Sequence, residues 1–216
     1  MFDLLLSGFV TLFVIIDPLG LVPLFLALTP EMNEKERQRT ALRACLIAFA
    51  ILTVFALFGL GILRTLGITL GAFRVAGGLF LFWIAFELVF EKRNERKQRS
   101  ANKAVDDPDA ADVAAFPMAI PLIAGPGAIS AVILLSGSLP SLGGQAALVG
   151  VIFTALTVSF AFLALAHRVD RFLGVTGRAV ISRLLGVLLA ALAVQFVADG
   201  AAELIRTSQQ GATALS

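Results

Sequence analysis

The sequence predicts an all-α polytopic membrane protein with six transmembrane helices. They form two inverted three-helix repeats, and the first helix of each repeat is broken near mid-membrane. Three observations carry this. Hydrophobic residues make up 58% of the chain and charged residues 15%, against roughly 45–50% and 25% in soluble domains. The apolar residues fall into six runs, at 4–28, 44–63, 72–90, 113–135, 146–166 and 179–198, each close to the ~20 helical residues that cross a hydrocarbon core. Shifting the sequence by 108 positions, half of its 216 residues, lays one interrupted apolar run on another.

The first run has no Lys or Arg ahead of it and no small-residue cleavage site after it, so it reads as a span and not a removable signal. It is interrupted by "DPLG" at 17–20. The connection after it carries Lys35, Arg37, Arg39 and Arg43. The second and third runs follow, the third opening near Arg74 and holding Glu87. Residues 91–112 begin basic, "EKRNERKQR", and end acidic, "DDPDAAD", and read as a polar linker. The fourth run contains Pro117, Pro121 and a "GPG" break at 125–127. In the fifth, Thr154, Thr157 and Ser159 are expected to bond within their own helix or to a neighbour. Arg168, Arg171, Arg178 and Arg183 surround the entry to the sixth, and the polar tail 207–216 reads as disordered. The units are thus 1–90 and 113–206, with the linker 91–112 between them.

Basic residues concentrate in the first, third and fifth connections, and only Arg64, Arg74 and Arg206 fall on the other side. The positive-inside rule then puts those loops in the cytoplasm and both termini in the periplasm. Cys45 is the only cysteine, so no intrachain disulfide forms.

Under the half-length shift Pro18 falls on Pro126, Gly78 on Gly186 and Glu87 on Gln195, while Leu81, Ala85 and Val89 fall on Leu189, Ala193 and Val197. A three-helix unit starts and ends on opposite sides of the membrane, so its repeat must be inverted. Paired breaks in inverted repeats point to a transporter's binding site.

Proline removes a donor and clashes with the preceding turn, and in lipid the freed groups must face protein or a wet cavity. Asp-Pro is a helix-start signature, with Asp at the N-cap and Pro at the first helical position. Asp17, Pro18 and Gly20 therefore form one candidate substrate-binding element, and Gly125, Pro126 and Gly127 the other, with Ser130 one turn beyond. Each new start carries the positive end of a helix dipole. Only the first also carries a carboxylate. That asymmetry suits a zwitterion, its ammonium facing Asp17 and its carboxylate the backbone at 125–127. The same carboxylate equally suits a plain helix cap or a cation-coupling site. Glu87 and its repeat mate Gln195 are candidates for gating or coupling, although Glu87 also lies within reach of the interface.

Enzyme chemistry is not expected. The one histidine, His167, abuts Arg168 at a helix end, and the sequence holds no zinc, phosphate-loop or nucleophile motif. No metal or other cofactor is expected, and the short mixed-charge loops argue against nucleic acid.

Taken together, "IDPLGLVPLFLALTP", "RVAGGLFLFWIAFELV" and "PLIAGPGAIS" resemble the MarC family, over roughly residues 3–206. The resemblance implies a bacterial inner-membrane protein in a neutral amino acid transporter family. The expected function is secondary transport of small neutral amino acids by rocking of the two repeats. A carrier or channel for another small solute, and a non-transporting membrane scaffold, are the alternatives. The expected partners are a zwitterionic amino acid and membrane lipids, with homo-oligomer formation left open.

Overall fold

The structure is a computed structural model that describes residues 2–93 and 112–213. Most of the expected linker, 94–111, and the tail end, 214–216, lie outside the described residues. The described residues contain eight helical segments and no strand: α1 (Phe2–Ile16), α2 (Pro18–Leu28), α3 (Glu34–Thr65), α4 (Leu70–Val89), α5 (Ala114–Ile123), α6 (Pro126–Ser138), α7 (Leu142–Ala164) and α8 (Ala166–Thr213).

Local signals set the helix starts. Asn33 opens α3 with a capping box: its Oδ1 accepts from the Glu36 N–H at 3.0 Å, and Glu36 Oε2 accepts from the Asn33 N–H at 2.8 Å. This starts α3 at Glu34, well ahead of the apolar run. Thr69 caps α4 through the Ala72 N–H, and Ser141 caps α7 through the Gly144 N–H. In α7 the hydroxyls of Thr154, Thr157 and Ser159 each donate to the carbonyl four residues back, as expected. α8 continues to Thr213, so 207–213 is helical where the sequence predicts disorder. No proline interrupts this stretch, and the helix already formed propagates into it.

Five segments are long and apolar enough to cross a membrane, counting α1 and α2 as one, and the bent pair α5–α6 makes a sixth if taken as one span. Polar contacts show how that pair runs. Asp112, just before α5, pairs with Arg43 at the start of α3 at 2.7 Å. Arg183 pairs with Glu91 at 2.7 Å, and Arg37 meets His167. These partners all come from the basic connections. Ser138, at the far end of α6, accepts from Arg74, which also pairs with Glu203 of α8 at 2.7 Å. The α5–α6 pair therefore runs from one face to the other. Arg74 and Arg183 are both paired with carboxylates. Large apolar side chains such as Phe58, Trp83, Phe153 and Leu184 stay exposed, as a lipid-facing surface requires.

The most extensive helix pairing is an antiparallel seam between α4 and α8. Small residues recur every seventh position, at Gly71, Gly78 and Ala85 on α4 and at Gly186, Ala193 and Gly200 on α8. That spacing keeps one face turned to a partner helix. Small side chains let backbones approach closely in lipid. A Cβ added to Gly78 would lie 2.7 Å from Val197 Cγ2 and 2.8 Å from the Ala193 carbonyl oxygen. A Cβ on Gly186 would lie 2.9 Å from Val89 Cγ2 and 3.1 Å from the Ala85 carbonyl oxygen.

Gly78→Val is expected to destabilise the protein by about 1–3 kcal/mol through overpacking, read as a lower Tm in detergent. Gly61→Ala is the control: a Cβ there meets nothing within 4 Å, so its Tm should hold or rise slightly through helix propensity.

Candidate functional site

The two breaks are built differently. At the first, Asp17 alone separates α1 from α2. Its N–H donates to the Phe13 carbonyl at 2.9 Å, and its own carbonyl accepts from the Leu21 N–H at 3.1 Å. Its backbone is left-handed, with φ 54° and ψ 66°, a conformation that costs an L-residue about 1–2 kcal/mol and that aspartate visits more readily than most. In this pose Asp17 Oδ1 accepts from the Gly20 N–H at 3.1 Å. Pro18 takes the first helical position, where no donor is needed. Asp17 is only 2% exposed, and Pro18 and Gly20 are buried with it.

The approach to the second break is irregular. Phe116 and Ile120 are extended, each just before a proline, as the residue before proline prefers. Wide-spaced bonds hold the rest, from the Met118 N–H to the Val113 carbonyl and from the Ala124 N–H to the Ala119 carbonyl. α6 then starts at Pro126 with Gly125 as its N-cap and no side-chain cap among the described residues. The two segments meet at 57°. The breaks thus keep the asymmetry expected from sequence, one capped by a carboxylate and one with a bare backbone start.

The glycines of the second break also serve packing. A Cβ on Gly125 would overlap the Pro121 carbonyl oxygen, and one on Gly127 would overlap Ile84 Cδ1. Their missing side chains make room for α5 and α4.

A cavity of about 220 Å³ lies between the breaks, lined by Ile15 of α1, Ile84 of α4, residues 125–127 and Arg93. Sequence reasoning missed Arg93, which it placed among the solvated basic residues of the linker. After α4 the chain reverses at Glu91, whose φ is 60°, and Arg93 returns toward the bundle. It is 5% exposed, and its Nη2 donates to the Ile15 carbonyl. That carbonyl belongs to the last turn of α1, where helix geometry leaves acceptors without intrahelical partners.

The structure therefore brings Gly125, Pro126 and Gly127 together with the end of α1. Asp17, Pro18 and Gly20 are buried at the same break without lining the cavity. Ser130 is half-buried and outside the lining. Glu87 is buried, with Oε1 accepting from Trp83 Nε1 at 3.2 Å. Gln195 is exposed and donates to Asp199 on its own helix at 2.8 Å. No cluster of three or more His, Cys, Asp or Glu suited to a metal occurs among the described residues.

Over residues 2–205 the chain matches the family described as MarC family integral membrane protein. It is 39% identical to a UPF0056 membrane protein of Aquifex aeolicus over 204 residues, covering 94% of each chain. It is 35% identical to the UPF0056 membrane protein YvbG of Bacillus subtilis over 200 residues, covering 93% of this chain and 95% of that one. With the UPF0056 inner membrane protein MarC of Citrobacter koseri it shares 37% identity over 210 residues, covering 93% and 95%. No solved structure matches the chain.

The packing around the second break orders two substitutions. Gly125→Ala forces a backbone carbonyl to move and should cost about 1–3 kcal/mol. Gly127→Ala meets the mobile end of Ile84 and should cost less. Tm values of the two purified variants in detergent check this, and the reverse order would place the tighter constraint at Gly127.

Proposed function

Because the chain belongs to the MarC family of integral membrane proteins, we propose that it is an inner-membrane secondary transporter of small neutral amino acids. In this reading two inverted three-helix repeats give alternating access to a site between their broken helices. The cavity at the two breaks is the observation that carries it. Its volume of about 220 Å³ falls below the roughly 300–1,000 Å³ of sites for drug-sized ligands, which suits a small solute. Among the described residues its walls combine apolar side chains with the buried Arg93.

Packing supports the inverted repeat. A two-fold exchanging positions 108 apart, half of 216, makes contacts recur with their partners swapped, and the main ones do. Gly78 packs on Ala193 and Val197, and Gly186 packs on Ala85 and Val89. α1 packs on α7 and α5 on α3, while α2 packs on α8 and α6 on α4. Asp17, buried at the break whose Ile15 lines the cavity, is the proposed partner of the substrate ammonium.

Counterflow of labelled alanine in proteoliposomes tests the function. Saturable uptake competed by unlabelled alanine and glycine is expected, and Asp17→Asn should weaken it at least tenfold. No saturable uptake of any small neutral amino acid would overturn the reading, and an unchanged Asp17→Asn variant would remove the ammonium role alone. For topology, both termini are proposed to be periplasmic. Impermeant maleimide should label a cysteine added at either end in intact cells, in a Cys45→Ala background. Labelling at one end only would mean an odd number of spans.

A further inference from the structure

We propose that the start of α8, residues 166–173, is an interfacial helix that docks on an anionic phospholipid surface. Gly174 interrupts α8, with φ 57° and ψ −173°, and the part long enough to cross a membrane begins only at Thr176. The residues before the interruption follow directly on α7, which ends at Ala164. They lie where the chain turns from one span into the next.

Helical spacing sorts this segment into two faces. Ala166, Val169, Asp170 and Leu173 share the face turned to the protein. Ala166 is buried, Val169 packs against the core, and Asp170 pairs with Arg178 across the Gly174 break. That ion pair fixes how the segment is rolled. The opposite arc holds His167, which meets Arg37, and then Arg168, Arg171 and Phe172, all exposed. Phe172 is 88% exposed. Among the described residues Arg168 and Arg171 form no ion pair, whereas Arg178 and Arg183 each hold a carboxylate.

A bare aromatic ring beside two uncompensated cations, at the end of a span, matches the boundary between headgroups and acyl chains. The ring enters the acyl side, and the guanidiniums reach out to phosphate. Leu165 before the segment, and Val180 and Leu184 beyond it, are exposed as well, so Phe172 continues the lipid-facing surface. The charge of the arc selects the lipid. Its one nearby acid, Asp170, is turned away to Arg178, which leaves a positive surface that attracts anionic headgroups.

Nitroxide labels test this in nanodiscs, where both faces are accessible. Phe172→Cys carries one label and Glu31→Cys, exposed in the turn after α2, carries the water-facing reference, each in a Cys45→Ala background. In discs containing phosphatidylglycerol, collisions with a water-soluble nickel chelate should be about threefold rarer at 172 than at 31, and collisions with oxygen more frequent. Discs of phosphatidylcholine alone should raise the nickel collisions at 172 about twofold. Adding Arg168→Gln and Arg171→Gln should abolish that difference between lipids. Equal nickel collisions at 172 and 31 would overturn the proposal. So would shielding from both reagents, which marks a protein contact such as a second copy, and so would immersion indifferent to lipid charge. Should the arginine variant fail to fold, the comparison of the two lipid compositions decides alone.

Discussion

The structure depends on one constraint: inside a bilayer, a backbone polar group freed from its helix must find a partner in the protein. Each of the two breaks creates such groups, and the architecture around each supplies partners. At the first break Asp17 does the work of two helix ends. It closes α1 with its N–H, opens α2 with its carbonyl and caps α2 with its carboxylate. The remaining last-turn carbonyl of Ile15 takes Arg93 from another part of the chain. A break that looks local is thus completed by residues far apart in sequence.

The second break is handled by packing. Extended residues before two prolines bend α5, wide-spaced bonds recover what the prolines remove, and Gly125 lets the Pro121 carbonyl approach. The result is a sharp bend, whereas α1 and α2 remain aligned enough to count as one span. The two breaks therefore meet the same backbone demand with different chemistry, one by a carboxylate cap and one by packing.

The parts legible in the sequence were those fixed by short-range rules. Asp17-Pro18 and Gly125-Pro126-Gly127 announce helix starts through their own backbone chemistry, so both breaks sit where expected. The spans were legible because lipid demands long apolar runs. Arg93 was not legible, since it stands in a row of charged residues that reads as solvated. Its burial follows from the chain reversal at Glu91, which no periodicity marks. Counting residues along α4 places Glu87 near its end, but that count carries no sign of its burial. The α4–α8 seam escaped notice for a related reason. In a helix that is apolar on all sides, a repeat of glycine and alanine every seventh residue does not stand out until its partner helix is known.

That seam also bears on how the molecule can move. At three levels along α4 and α8 a glycine of one helix lies close to a backbone carbonyl and to side-chain carbons of the other. Sliding one helix by a single residue would drive Val197 or Val89 into the opposite chain. The pair therefore behaves as a spine of fixed register, and wholesale rocking of one half on the other would have to break it. An alternating-access movement that kept this register would have to bend at the breaks, and at the first of them the bend would fall on one residue, Asp17.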